Sequence, residues 1–409
     1  MSNILVLSTD DNPAEGHAYS RYLYYKNKGE NAFFLPLIRQ YTDTDNYFID
    51  ARDHYTFKRK VYAFMIRVHR YFILKRNKRE YCFFNTLMRG KKASQILAKV
   101  PFVPDIIIVG WCDGYVTSKT ISDLYSLTKA KIVIPMIDAH LLGGGCHYPC
   151  DCNQFHSGCR NCPALRIKSL ASWEYKQKCK YLGKVPFVLC GTSYDIKRAA
   201  NVPYLRDKET ITAIGVPQIS INMSKAEARS FFDLSNDDFV IMFGAVNVFD
   251  KRKGFDVLMK SLKLLASKVS EAKSVTILVL GNLSQDIVID GLKVKATGFL
   301  CYEDMMKAYY ASDVFVSPSL DDSGPYMVNY SVACGCPVVS FPIGIAIDLV
   351  IPERTGYLAR FNDADDLCRG LESFYNMEPQ VKDSYSHNCK ELMSYLATHK
   401  KPWYEEVID

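Results

Sequence analysis

Short runs of β-branched and other apolar residues alternate with helical patterns along almost the whole chain, and this alternation limits the fold more than any other feature. The candidate strands are at 4–8, 105–110, 131–138, 187–191, 239–245, 274–281, 293–298, 313–319 and 337–341. Between several of them lie amphipathic segments such as 255–269, where apolar residues recur at the i, i+3, i+4 and i+7 spacing of a helix. Continuous apolar strands alternating with helices predict parallel sheets of the doubly wound α/β class.

The chain has 409 residues, which is too long for one ordinary core, and the alternating pattern is present in both halves. We therefore predict an N-terminal domain over 1–190 and a C-terminal domain over 191–377, with the hinge near 188–195. Ligands of doubly wound sheets bind beyond the carboxyl ends of the strands. A functional site is therefore expected in the loops that follow the strands.

The composition is that of a globular protein, with 48% hydrophobic and 23% charged residues. No apolar run approaches the roughly 20 residues that span a bilayer. The first residues, MSNILVLSTDD, have no basic flank before their apolar run, so we interpret 4–8 as a first strand and not as a signal peptide. These features favour a cytoplasmic protein.

Positive charge is concentrated in the segment 58–92, in which Glu80 is the only acid. Aromatic and apolar residues recur at helical spacing within it, at Phe64, Val68, Tyr71 and Phe72. A basic helix with an aromatic face is typical of segments that lie on an anionic membrane surface. The alternative is a surface helix that packs on its own domain. Nucleic acid is not favoured as a partner, because no recognition module accompanies the segment.

Two loops between a strand and a helix predict a ligand. The first carries Asp250, Lys251, Arg252, Lys253 and Gly254. Its cations, and free amides at the start of the next helix, are groups that bind phosphate oxygens. Solvated surface cations are the alternative interpretation of this loop.

The second loop reads SPSLDDSGPYMVNYSVACGCPV over 317–338. Asp321 and Asp322 stop an apolar run, and a helical pattern follows Gly324. A carboxylate accepts hydrogen bonds from sugar hydroxyls, while helix-start amides donate to phosphate. The two loops together predict a site for a nucleotide diphosphate sugar, with simple helix capping by the aspartates as the alternative.

The motif order over 240–370 resembles the C-terminal domain of the family-4 retaining glycosyltransferases, which have the GT-B fold. The motifs are GA…DKRKGFDVLMKSL, VLVLGN, ATGF…YEDMMKAYYASDVFVSPSL, DDSGPYMVNYSVACGCPVVSF and GIAIDLV…TGYLA. The resemblance implies two domains that face a cleft, with the C-terminal stretch 378–409 crossing back to the first domain. It also implies sugar transfer, with retained configuration, from a nucleotide diphosphate sugar to a polysaccharide or lipid-linked oligosaccharide. Many such enzymes act at the cytoplasmic face of bacterial membranes, and most need no divalent ion for catalysis.

The resemblance assigns donor contacts residue by residue. Lys253 matches a lysine that contacts the diphosphate, while the family's arginine falls on Ala245, so Arg252 is the proposed substitute. The family's Glu-x7-Glu pair falls on Asp322 and Tyr330, so a tyrosine stands where a ribose-binding acid is usual. The close backbone approach to the donor and the helix-start amides are assigned to Gly324, Tyr326, Met327 and Val328.

Two N-terminal positions also follow from the resemblance. Family members often have a His-Asp pair at the end of an N-domain strand, near the transferred sugar. The aspartate corresponds to Asp138, but Ile137 precedes it, so His140 is the candidate replacement, with an ordinary loop histidine as the alternative. Gly16 corresponds weakly to the glycine-rich first loop, where backbone amides face donor phosphate or acceptor.

A cysteine-rich stretch, GGGCHYPCDCNQFHSGCRNCPA over 143–164, resembles a segment found in a subgroup of the same family. Four thiolates of this kind can bind a structural zinc ion, and the predicted ligands are Cys146, Cys152, Cys159 and Cys162. Cys150 is a fifth thiol, and His147 or His156 could replace one of the four. Free or disulfide-linked thiols are the alternative.

The interpretation is thus a GT-B glycosyltransferase with a nucleotide sugar donor, a glycan or lipid-linked acceptor and an anionic membrane partner. Three other interpretations remain open. One is a non-catalytic GT-B protein with a decayed site, since Tyr330 replaces an acid. Another is a sugar-nucleotide epimerase on the same fold, although no clear acid–base pair is present. The third is an interaction module within 143–164.

Overall fold

The computed structural model describes residues 1–13, 17–50, 90–270, 274–282, 287–324 and 326–408, with eight further residues between 60 and 72. These form two compact units, Met1–Ala213 with Pro402–Asp409, and Ile214–Lys401. Gly16 and most of the basic segment 58–92 lie outside the described residues. Within the described part of the chain, no helix is both long and apolar enough to cross a bilayer.

The N-terminal unit is built on a parallel sheet. Its strands are β1 (Asn3–Ser8), β2 (Asn31–Pro36), β3 (Ile38–Arg39), β4 (Ile49–Asp50), β5 (Ile106–Val109), β6 (Lys131–Pro135), β7 (Phe187–Gly191) and β8 (Glu209–Thr212). Its helices up to β8 are α1 (Ala18–Asn27), α2 (Ala93–Leu97), α3 (Ser118–Thr128), α4 (Lys168–Leu182) and α5 (Ser193–Ala199). The main sheet has the order β2-β1-β5-β6-β7-β8, and β3 pairs separately with β4. The central residues of β1 and β5 are buried, which explains their continuous apolar sequences.

The C-terminal unit repeats this architecture. Its strands are β9 (Phe239–Asn247), β10 (Val275–Asn282), β11 (Lys293–Gly298), β12 (Val314–Ser317), β13 (Val338–Ser340) and β14 (Gly356–Leu358). Its helices are α6 (Lys225–Phe231), α7 (Phe255–Ala266), α8 (Tyr302–Ala311), α9 (Tyr326–Ala333), α10 (Ala346–Leu349), α11 (Ala364–Tyr375) and α12 (Pro379–His399). The strand order is β11-β10-β9-β12-β13-β14, and all pairs are parallel. The chain therefore reverses its direction of winding between β9 and β12, where ligands of such sheets bind.

The unit boundaries differ from those drawn from the sequence. The first unit extends beyond 190 because β8 pairs with β7 and completes the sheet. Of the stretch 378–409, α12 packs Cys389, Met393 and Leu396 into the core of the second unit. Only the final residues, which include the short helix Trp403–Glu406, belong to the first unit.

Candidate functional site

Two loops meet beside the winding reversal of the C-terminal sheet. β9 leads through the 3₁₀ turn Lys251–Lys253 into α7, and β12 leads through 318–324 into α9. Because β9 and β12 are parallel neighbours, both loops leave the sheet at the same edge. The backbone N–H of Leu320 donates a 2.8 Å hydrogen bond to the carbonyl of Arg252, which ties the two loops together.

Gly254 permits this close approach. Its φ is +72°, and a Cβ atom built on it would lie 1.8 Å from the carbonyl oxygen of Pro318. Only glycine fits a left-handed backbone position with no room for a side chain. The residue after Lys253 is thus the one that lets the cationic loop lie against the loop that follows β12.

The structure brings Lys253, Arg252 and Asp322 together, as the sequence predicted. The ammonium of Lys253 contacts the Asp322 carboxylate, and an Arg252 guanidinium nitrogen lies 3.4 Å from the same carboxylate oxygen. Arg252 also donates to the carbonyl of Asp321 at 3.2 Å and lies 3.3 Å from Asp250. Both cations are therefore paired with carboxylates, so a bound phosphate would compete with Asp322 for them.

Asp322 also connects these cations to the start of α9. Its other carboxylate oxygen accepts a 3.4 Å hydrogen bond from the Gly324 N–H, and α9 begins at Tyr326. The first amides of a helix have no partner within the helix and favour anions. The predicted amides of Tyr326, Met327 and Val328 thus belong to the first turn of a helix that begins beside the cationic cluster.

Several side chains of α9 pack into the core of the C-terminal unit. Val328 is fully buried, and the Met327 sulfur lies 3.2 Å from where a Cβ on Gly244 would be. Tyr330 is 8% exposed and packs against Tyr302 and Tyr326, with ring centroids 5.7 and 5.3 Å away. The Tyr330 ring therefore has a packing role, and a role of its hydroxyl towards ribose stays a prediction.

In the N-terminal unit, Asp138 and His140 lie together in the loop after β6. Asp138 is 1% exposed, and one of its oxygens is 2.7 Å from His140 Nδ1. The other oxygen is 2.6 Å from Nδ1 of His147, a residue that the sequence suggested only as an alternative metal ligand. The His147 ring stacks on Trp111, in the loop after β5, with centroids 4.1 Å apart. One buried carboxylate thus orients two imidazole rings.

This arrangement shifts the pKa of the Asp138 carboxyl group and the pKa of the His140 imidazole. Burial would raise the pKa of Asp138, but the two imidazoles outweigh burial and hold that pKa well below its usual value. Burial lowers the pKa of His140, and Asp138 offsets this only in part. Asp138 therefore stays ionised and His140 stays neutral at neutral pH, so His140 can accept or donate a hydrogen bond without carrying charge.

We expect the stability of the N-terminal unit to fall below about pH 6.5. A histidine in the unfolded chain has a pKa of 6.5, whereas that of folded His140 is lower. Below pH 6.5 the unfolded chain binds a proton at this histidine, whereas the folded protein does not. The stability contribution is therefore full above pH 6.5 and declines as the pH falls towards the pKa of folded His140. Thermal unfolding between pH 7.5 and 5.5 should show a smaller decline in His140→Gln. An equal decline in both proteins would contradict the assignment.

The four predicted metal ligands surround one small cavity. Cys146, Cys152, Cys159 and Cys162 all line it, and its volume is about 20 Å³. Among the described residues, no group of three or more His, Cys, Asp or Glu side chains forms a ready metal-binding set. Zinc binding therefore stays a prediction.

Comparison with known proteins supports the domain and the fold. Residues 238–377 match the family described as "Glycosyl transferases group 1". The chain is 24% identical over 261 residues to the capsular polysaccharide biosynthesis glycosyltransferase CapM of Staphylococcus aureus. That match covers 59% of this chain and 66% of CapM, just under two thirds of its length.

The solved structures that match nearly the whole chain include the following two. Sucrose-phosphate synthase from Thermosynechococcus elongatus has a TM-score of 0.61 at 14% identity, covering 97% of this chain and 95% of its own. Anabaena Alr3699/HepE, solved in complex with UDP and glucose, has a TM-score of 0.57 at 12% identity, covering 96% and 95%. The predicted α/β fold of the GT-B class is confirmed. Residues 238–377 are therefore similar to a glycosyltransferase group 1 domain, and the chain has the GT-B fold.

Proposed function

We propose that this protein is a retaining glycosyltransferase that moves a sugar from a nucleotide diphosphate sugar to a polysaccharide or lipid-linked oligosaccharide. The observation that carries the proposal is the convergence of Lys253, Arg252 and Asp322 beside the start of α9. This cluster lies in the group 1 domain, where the sheet reverses its winding. Cations, a carboxylate and helix-start amides are the groups that a diphosphate linked to a sugar requires.

The proposed chemistry depends on charge stabilisation. As the bond between sugar and diphosphate breaks, negative charge grows on the leaving phosphate and the sugar becomes oxocarbenium-like. Lys253, Arg252 and the α9 amides would stabilise the growing negative charge. Asp322 can accept hydrogen bonds from sugar hydroxyls while keeping Lys253 in position, because its two oxygens have different partners. We propose that these residues act without a catalytic metal, as the family resemblance implies, so the reaction should need no added divalent ion.

Asp138 and His140 are proposed to contact the transferred sugar or the acceptor. Their mutual hydrogen bond fixes the His140 ring, and the ring is partly accessible, with 13% of the side chain exposed. Gly16, which lies outside the described residues, is proposed to contact donor phosphate or acceptor through its backbone. The acceptor class rests on the resemblance and on the name of the relative CapM.

A screen of nucleotide sugars by thermal unfolding tests the proposal. A donor at 100 times its dissociation constant adds about 2.7 kcal/mol of apparent stability, so a true donor should raise the unfolding temperature clearly. UDP-glucose is a reasonable first compound, because HepE was solved with UDP and glucose. Donor hydrolysis or transfer, followed by NMR of the product anomer, then tests retention. Binding without turnover would favour a non-catalytic protein, and conversion of the donor sugar would favour an epimerase.

We expect Tyr330→Phe to weaken donor binding modestly. If the hydroxyl bonds ribose, its loss should cost about 0.5–1.5 kcal/mol, while the ring keeps its packing. Tyr302→Phe is the matched control, because it removes the hydroxyl of the neighbouring ring, which donates to the Gln218 carbonyl instead. Calorimetric titration measures both. Equal affinity in wild type and Tyr330→Phe would leave Tyr330 with packing alone.

The proposed location is the cytoplasm, on the inner face of the cell membrane. The basic segment 58–92 supports this proposal, and Phe64, Tyr71 and Phe72 are exposed in the described part of it. Replacing Arg67, Arg70, Arg76 and Arg79 by Glu should then reduce flotation with vesicles that contain anionic lipid. Unchanged flotation would contradict membrane association through this segment.

A further inference from the structure

The cysteine-rich loop between β6 and α4 contains an arrangement that the proposed transfer reaction does not use. Cys146, Cys152, Cys159 and Cys162 come from three separate parts of this loop, yet all four line one cavity. The remaining wall is mainly apolar and includes Pro149, Phe155, Pro163, Ala164 and Ala171. Thiols gathered in a small, mainly apolar cavity can bind a thiophilic ion away from water.

The other candidate ligands of the loop are turned to different contacts. Cys150 does not line the cavity, and its sulfur lies 3.8 Å from the carbonyl of Tyr148. His147 is bonded to Asp138 and stacked on Trp111. His156 is exposed and packs on Phe155. The geometry thus selects four cysteines from the seven candidates in the loop.

The backbone of the loop supports thiolates. The N–H of Gly144 donates to the Cys159 sulfur at 3.1 Å. Cys159 itself has a φ of +56°, in the left-handed region that costs a non-glycine residue about 1–2 kcal/mol. Cys150, which does not line the cavity, has a φ of +51°, so this strain belongs to the turns of the loop and is not specific to the four cysteines.

A buried cation lies beside the cluster. Lys178 of α4 is 3% exposed, and its ammonium donates to the carbonyls of His140 and Gly143, the latter at 2.8 Å. Gly143 in turn lies against Cys159, whose sulfur is 3.2 Å from where a Cβ on Gly143 would be. Four thiolates around Zn²⁺ carry a net charge of −2, so a neighbouring ammonium and N–H donors offset charge that burial would otherwise make costly.

We propose that Cys146, Cys152, Cys159 and Cys162 bind one structural zinc ion as a tetrathiolate site. Zinc–sulfur bonds of about 2.3 Å in a tetrahedron place the sulfurs roughly 3.8 Å apart. Neutral thiols have nothing to draw them to that spacing, and the ion supplies the attraction. The four cysteines already line one cavity, and changes of side-chain rotamer would bring their sulfurs to the ion.

The proposed zinc ion would also fix the positions of Asp138 and His140, the residues proposed to contact the sugar or the acceptor. His147 directly follows Cys146, and its carbonyl accepts a 2.8 Å hydrogen bond from the N–H of Ala139. His147 in turn bonds Asp138, which orients His140. Zinc binding therefore fixes the turn from Asp138 to His147, although the zinc proposal itself does not depend on the proposed transferase activity.

Metal analysis of the full-length protein, purified without chelators, tests this inference. We expect about one zinc per chain by mass spectrometry of the metals. Cys159→Ser with Cys162→Ser should remove the zinc, whereas the matched control Cys150→Ser should keep it. Absence of stoichiometric zinc, its retention in the double variant, or a disulfide among the four cysteines in freshly purified protein would each overturn the proposal.

A second measurement covers the case in which the double variant does not fold. Wild-type protein in which cobalt replaces zinc should show the sulfur-to-cobalt charge-transfer and visible bands of a tetrahedral thiolate site. Removing zinc from the wild type with a chelator should lower its unfolding temperature, and added zinc should restore it. A cobalt spectrum without thiolate bands would contradict the site. So would an unfolding temperature that does not change when zinc is removed.

Discussion

Replacing Lys253 by alanine is expected to weaken the binding of a nucleoside diphosphate by about 10- to 100-fold. A hydrogen bond that involves a charged group contributes roughly 1.5–3 kcal/mol, and every 1.4 kcal/mol changes a dissociation constant about tenfold. The substitution also leaves the Asp322 carboxylate with less positive charge beside it, because Lys253 is in direct contact and Arg252 is 3.4 Å away. Asp322 would then repel an incoming diphosphate more strongly.

Lys251→Ala is the matched control for this experiment. Lys251 belongs to the same 3₁₀ turn, but its side chain is exposed. Both variants lose one positive charge from one loop, so the long-range electrostatic change is similar. Calorimetric titration with UDP should therefore separate a direct contact from general attraction. Equal losses in the two variants, or none in Lys253→Ala, would place the diphosphate elsewhere.

The sequence predicted the sheets well because their strands are buried on both faces. β1, β5, β9 and β10 therefore have continuous apolar sequences, and the helices between them keep a helical period. The domain boundary was harder to place. β8, with the sequence ETIT, is mostly exposed in its first half and has no long apolar run, so only its pairing with β7 reveals which sheet it joins.

The sequence placed the candidate donor residues in two loops, but it did not predict that their side chains pair with one another. The alternating pattern predicts that Lys253 and Asp322 lie in the loops after β9 and β12. Because these two strands are neighbours in the sheet, the two residues are expected to be close together. A direct contact between these two side chains depends on how closely the loops approach, which is a three-dimensional property. Tyr330 illustrates the same limit, because its helical position is evident while its packing against Tyr302 joins residues from two helices.

The sequence analysis did not predict the contacts of His147. Its neighbours in the sequence are Cys146 and Tyr148, so the cysteine pattern dominated its interpretation. The residues that His147 contacts, Asp138 and Trp111, come from the loops after two different strands. The available signal was topological: β5 and β6 are neighbours in the sheet, so polar and aromatic residues after each should meet at one edge.

Gly254→Ala is expected to reduce both the stability of the C-terminal unit and its diphosphate binding severely. An alanine there must adopt a φ of +72° and place its Cβ 1.8 Å from the Pro318 carbonyl oxygen, so the two loops must separate. The left-handed backbone alone costs about 1–2 kcal/mol. Separation of the loops adds the loss of the bond between Leu320 and Arg252, and we expect a total above about 3 kcal/mol.

Gly298→Ala provides the matched comparison. Gly298 has a φ of +70°, but no neighbouring atom lies within 4 Å of where its Cβ would be. An alanine there is therefore destabilised by the left-handed backbone conformation but causes no steric clash. Denaturant unfolding and UDP titration of both variants separate the two effects. If the loop contact positions Lys253, Gly254→Ala should lose binding even in the fraction that remains folded, whereas Gly298→Ala should bind normally. Similar stability and similar affinity in the two variants would mean that the approach of Gly254 to Pro318 does not shape the site.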